Sequence, residues 1–139
     1  MAHTHAVSRN ELGRGQLATS RLFTILTGLA ALVIVLQGAW AGLFIHEGHD
    51  YQQGWVDVHA RGGDTAIGLA LAASVVALVK LRSRPGLIVG SIALMVLLAL
   101  EAFLGGLIGD SPTMTIVHFP LALALMALAV WLPLRSRRG

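Results

Sequence analysis

Four apolar stretches, each close to the ~20 residues a helix needs to cross the hydrocarbon core of a bilayer, take up most of this chain. They fall at residues 22–45, 59–79, 87–108 and 116–134. In 139 residues that leaves no room for a separate soluble domain. Composition agrees, since 55% of residues are hydrophobic and only 12% charged, about half the charge fraction of an ordinary soluble domain. The expected fold is all-α, a four-transmembrane-helix bundle over 22–134. A polar tail at 1–21, mobile unless a partner holds it, precedes the bundle, and a basic terminus at 135–139 follows it.

Charge sets the orientation. Nine of the ten basic residues flank what would be a single side: Arg9, Arg14 and Arg21, then Lys80, Arg82 and Arg84, then Arg135, Arg137 and Arg138. Only Arg61 lies toward the other ends, among Glu47, Asp50, Asp57, Asp64 and Asp110. The positive-inside rule then predicts an N-in/C-in topology with both termini cytoplasmic. Trp40 and Trp55 would mark the outer interface and Trp131 the inner one. The formal charge of +3 is a basic rim suited to anionic headgroups of the lipid bilayer rather than a nucleic-acid surface. The first span resembles a signal peptide, with Ala39-Trp40-Ala41 mimicking a cleavage site, but at about 24 residues it is too long for one and reads as a retained helix. With no cysteine present, disulfides, thiolate ligands, iron–sulfur clusters and c-type haem attachment are excluded.

The two halves share a plan. Gln37-Gly38-Ala39-Trp40-Ala41-Gly42-Leu43 aligns with Glu101-Ala102-Phe103-Leu104-Gly105-Gly106-Leu107. Each is followed by an outer loop, a histidine, another span and a basic run. Two repeated helical hairpins of the same orientation would put Gln37 at the depth of Glu101 and His59 at the depth of His118.

His59 and His118 are the residues that most invite chemistry. The plainly apolar part of the second span, 65–79, is too short to cross, so its helix must begin near Asp57 and draw His59, Arg61 and Asp64 into the outer leaflet. Below His59 the helical stripe Gly62, Gly63, Ala66, Ala70, Ala73, Ala77 is uniformly small, which suits either a flat macrocycle or a closely packed helix. His118 opens the fourth span, where Ser111 or Thr113 is expected to cap and Pro120 to fall in the first turn. Ionisable side chains in a membrane segment are functional candidates, and two imidazoles from facing helices can ligate one haem iron from both sides. The other reading of each histidine is an interfacial side chain bonded to water or a loop carbonyl. Arg61 would meet a haem propionate or pair with Asp64. Gln37 and Glu101 read as a polar clamp between hairpins, with proton transfer or quinone binding at Glu101 as the alternative. His46, His49 and Asp50 with Glu47 form a His-x-x-His cluster, either a zinc or copper site or a solvated loop, and His46 competes with His59 as axial ligand.

Trp55-Val56-Asp57-Val58-His59-Ala60-Arg61, together with Leu36-Gln37 and Leu100-Glu101 ahead of Gly42 and Gly106, resembles one four-helix half of the haem A synthase family. Small four-helix bacterial membrane proteins with two such histidines are also similar. The resemblance spans 22–134 and implies His59 and His118 as the axial pair of a haem near the outer face. The expected cofactor is haem b, and Gly62, Gly63, Gly105, Gly106 and Arg61 are the further candidates for contact with it. Val56 stands where the family has a glutamate, and the outer-loop cysteine pair of many members is missing. Electron transfer from quinol or another membrane donor is therefore the expected role, rather than haem hydroxylation. The place is a bacterial cytoplasmic (inner) membrane, and a larger membrane complex or homo-oligomer is the expected company. The rival expectations are a cofactor-free accessory subunit of such a complex and an outer-side zinc or copper protein.

Overall fold

No proline occurs before residue 85, so no residue in the first half of the chain breaks a helical hydrogen-bond ladder by lacking its N–H. The computed structural model describes the backbone of residues 2–46 and 53–138, and the side chains of 2–14, 16, 45 and 46 lie outside that description. Helix α1 runs Ala2–His46 and α2 runs Gln53–Lys80. Helix α3, Pro85–Leu107, opens on its proline, where a missing N–H leaves no rung unmade. A short 3-10 turn, Pro112–Met114, leads directly into α4, Thr115–Arg137.

Two local expectations are corrected. Polarity separates 1–21 from the first span in hydropathy but does not interrupt helical geometry, and α1 continues through it. At the start of α4 neither Ser111 nor Thr113 caps the helix. Their hydroxyls bond each other at 2.9 Å, while Thr115 Oγ1 donates back to the Pro112 carbonyl at 2.6 Å. Because α4 begins at Thr115, Pro120 falls in its second turn, and the Ile116 carbonyl loses its i+4 donor.

The helices form a ring in which α1 packs on α2 and α4, and α3 packs on α2 and α4. Helices α2 and α4 are thus diagonal to one another. The core is built from Phe23, Leu87, Leu94, Leu125 and Leu132 against the alanine stripe Ala66, Ala70, Ala73 and Ala77, every alanine of which is fully buried. Two buried hydroxyls are satisfied inside their own helices: Thr27 donates to the Phe23 carbonyl and Ser74 to the Ala70 carbonyl, both at 2.8 Å. The outer surface is apolar, with Leu123, Val89 and Phe103 all more than 60% exposed. A continuous apolar exterior of this kind is suited to lipid rather than water. All four helices are long and apolar enough to cross a membrane, over Leu17–Phe44, Gln53–Lys80, Pro85–Leu107 and Pro112–Arg137.

One end of the ring is closed by polar contacts. Ser20 Oγ and Thr24 Oγ1 lie 3.3 and 3.0 Å from Ser136 Oγ, joining α1 to α4. From the α2–α3 connection, Arg84 donates through Nη1 to the Ser136 carbonyl at 2.9 Å and through Nη2 to the Arg135 carbonyl at 2.8 Å. A guanidinium on the last carbonyls of α4 satisfies acceptors the helix cannot pair and sits at the negative end of its dipole. Arg21, Arg82, Arg84, Arg135, Arg137 and Arg138 therefore share one end, as the charge pattern requires.

Candidate functional site

The opposite end carries the four polar groups that hydropathy alone would reject. On α1, Gln37, Trp40 and Phe44 follow at i, i+3 and i+7, one face of a helix. They meet His59 and Gly62 on α2. The Phe44 ring stands edge-on to the His59 ring with centroids 5.5 Å apart. Gly62 is buried where the helices touch, and a Cβ there would overlap both the Gln37 amide and the Trp40 ring.

The Gln37 carboxamide has one orientation that satisfies its neighbours. Its nitrogen then donates to the His59 carbonyl at 2.8 Å, and its oxygen accepts from the Gly63 N–H at 3.1 Å. The side chain thus spans the i to i+4 rung of α2 between residues 59 and 63. The same nitrogen lies 2.8 Å from His59 Nδ1. That Nδ1 also lies 3.2 Å from the Gln37 backbone carbonyl. An Nδ1–H would donate to the carbonyl, whereas an unprotonated Nδ1 would accept from the carboxamide. The ring cannot do both when neutral.

A related arrangement joins α3 and α4. Glu101 Oε1 approaches His118 Nδ1 to 3.1 Å, with the two side chains 11% and 12% exposed. The alignment falls short of a good hydrogen bond, and both carboxyl oxygens and Nδ1 are buried without another partner among the described residues. One turn along α3, Gly105 leaves room for the imidazole, since a Cβ would stand 3.1 Å from His118 Cε1. The two histidines are near enough that charge on one is felt at the other. Among the described residues no hydrogen bond reaches Nε2 of either.

Of the residues expected to form the site, His59, His118, Gln37 and Glu101 come to the same end. The polar pairs are Gln37–His59 and Glu101–His118, and among the described contacts none joins Gln37 to Glu101. Gly62 is filled by Gln37 and Trp40, and Gly105 by the His118 ring, whereas Gly63 and Gly106 have open space at their Cα atoms. Arg61 is exposed, and no ion pair to Asp64 is found among the described residues. Glu47, His49 and Asp50 lie outside the described residues, as does the side chain of His46. Elsewhere among the described residues no cluster of three or more His, Cys, Asp or Glu side chains occurs. Sequence reasoning missed Trp40 and Phe44 as packing partners of the site, although their i+3 and i+7 spacing from Gln37 marks them for the same face.

The donor chemistry fits a haem iron. Two imidazoles come from diagonal helices, His59 with Nδ1 between two groups of Gln37 and His118 with Nδ1 facing Glu101, and Nε2 of each is the nitrogen a haem iron would take. No known family, curated protein or solved structure matches this chain.

Proposed function

We propose that this chain is a membrane-bound b-type cytochrome, with His59 and His118 holding one haem near the end opposite the basic rim. The observation behind this reading is the pair itself: two histidines at one end of an apolar bundle, each with Nδ1 facing a polar side chain of the preceding helix. The matched contacts also favour two repeated hairpins. The basic end would face the cytoplasm of a bacterial cell, which puts the haem toward the outer face of the inner membrane. Arg61, exposed two residues beyond His59, would meet a propionate, and Gly63 and Gly106 have open space at their Cα atoms. A bound haem would supply a one-electron couple. With both axial positions taken by imidazole, relay of electrons from quinol or another membrane donor is favoured over oxygen chemistry.

One observation favours a second reading. The alanine stripe is fully buried and Gly62 is occupied by Trp40 and Gln37, which is what a cofactor-free accessory subunit of a larger complex would need for close helix packing. A dithionite-reduced minus oxidised spectrum of the detergent-purified protein, with a pyridine haemochrome assay, separates the two. The cytochrome reading expects a sharp low-spin b-type α-band at one haem per chain, abolished in His59→Ala and in His118→Ala. A preparation that stays colourless after haem addition refutes it.

A further inference from the structure

The two histidines occupy matched positions but have chemically different neighbours. Glu101 presents His118 Nδ1 with a carboxyl oxygen at 3.1 Å and with its backbone carbonyl, and the carbonyl, like the carboxyl when ionised, can only accept a hydrogen bond. Gln37 presents His59 Nδ1 with an amide nitrogen, which can only donate. The orientation of that amide is not arbitrary. Its nitrogen faces the His59 carbonyl and its oxygen faces the Gly63 N–H, and the reverse orientation would set oxygen against oxygen and N–H against N–H. All three contacts of the carboxamide are satisfied together only when His59 Nδ1 carries no proton. The competing acceptor, the Gln37 backbone carbonyl at 3.2 Å, lies within α1 and already accepts from its own helix.

We propose that Gln37 is a tautomer-selecting residue that holds His59 with its proton on Nε2, so that His59 is the weak and exchangeable member of the pair and His118 the fixed one. The consequence for ligation rests on the haem reading above; the tautomer assignment does not. An imidazole with Nε2–H presents a hydrogen-bond donor, not a lone pair, at that nitrogen. To offer Nε2 as a ligand it must relocate its proton to Nδ1, give up the bond from the carboxamide and donate to the backbone carbonyl instead. The ring stays neutral throughout, so no net proton is taken up or released. His118 Nδ1 faces the Glu101 backbone carbonyl, an acceptor whatever the state of the carboxyl, so a proton held on Nδ1 leaves the Nε2 lone pair available without rearrangement. Gly62 is part of the device, because any side chain at that position would expel the carboxamide.

The first test uses the apo-protein. Nitrogen-15 spectra of histidine-labelled chain in detergent micelles, with His59→Gln to assign the signal, report which ring nitrogen is protonated. Wild-type protein is expected to show His59 with Nδ1 bare and Nε2 protonated, and Gln37→Leu to move the proton to Nδ1. A wild-type His59 protonated at Nδ1, or a tautomer unchanged in Gln37→Leu, overturns the proposal. The second test counts haem per chain after reconstitution. His59→Ala is expected to retain haem at near-wild-type stoichiometry in a high-spin form, His118→Ala to lose it, and Gln37→Leu to bind haem about tenfold tighter, the scale of one competing hydrogen bond removed. Equal haem loss in both histidine variants overturns the assignment of His59 as exchangeable. Wild-type protein that takes up no haem overturns the cytochrome reading while the nitrogen spectra still decide the tautomer.

Discussion

Adding one methyl group to Gly62 should destabilise the bundle, although the same change elsewhere on α2 should help it. Glycine in a helix interior is less stable than alanine by roughly 0.5–1 kcal/mol, because the freer backbone loses more entropy on ordering. Gly68, exposed on the same helix with nothing within 4 Å of an added Cβ, should show that gain undiluted. At Gly62 the new Cβ would overlap the Gln37 amide and the Trp40 ring, with Trp40 Cε3 at 3.1 Å. The amide is the end of a flexible chain and can withdraw, but withdrawal breaks its bonds to the His59 carbonyl and the Gly63 N–H. The indole is wedged between helices and must tilt. Overpacking of this kind costs typically ~1–3 kcal/mol. Set against the alanine gain, Gly62→Ala should be less stable than wild type by about 0–2.5 kcal/mol and, since the gain is common to both, less stable than Gly68→Ala by about 1–3 kcal/mol. The assay is thermal or denaturant unfolding in one fixed detergent, with expected melting shifts of a few degrees in opposite directions. Trp40→Leu combined with Gly62→Ala should recover part of the loss, giving a coupling energy that neither single change predicts. If Gly62→Ala melts with or above Gly68→Ala, the contact between α1 and α2 is not as described, and the argument about Gln37 falls with it.

Three other expectations follow from the geometry. Gly105→Val should push the His118 ring off α3 and lower haem occupancy more than it lowers thermal stability, read from haem content beside the unfolding midpoint; parallel losses would refute a local effect. Arg84→Ala removes both guanidinium contacts to the end of α4 and should destabilise by about 0.5–1 kcal/mol at low salt, with a smaller difference at high salt, since the group is partly exposed. Thr27→Val should be neutral within about 0.5 kcal/mol although Thr27 is fully buried, because its hydroxyl bonds only the Phe23 and Thr24 carbonyls of its own helix. A loss of several times that size in the unfolding midpoint would mean Thr27 has a partner on another helix.

Much of the site could be read from the chain because membrane burial constrains types of residue rather than pairs. His59, Gln37, Glu101 and His118 are conspicuous as polar groups in apolar segments, and their matched spacing set them at one depth before any packing was known. Hydropathy could not say which polar group would face which. That depends on how each helix is rotated about its axis, and a quarter turn exchanges one neighbour for another. A clamp between Gln37 and Glu101 requires one such rotation, and the observed contacts run instead from each to the histidine of the next helix. The small stripe on α2 shows the same limit. Its composition suited both a macrocycle and a close helix, and Trp40, with a ring large enough to fill the gap at Gly62, settled that position.

By itself the sequence determined the four spans, the all-α class, the basic end and the depth of the two histidines. Each follows from local composition and from the need to satisfy every backbone group within its own helix in lipid. The tertiary structure decided that α1 is continuous with its polar tail and that Pro120 lies in a second turn. It also decided that Arg84 reaches across to the end of α4, and that Gln37 meets an imidazole nitrogen with a donor while Glu101 meets one with an acceptor. Those contacts join residues 22, 17 and about 50 positions apart, which no local pattern can encode.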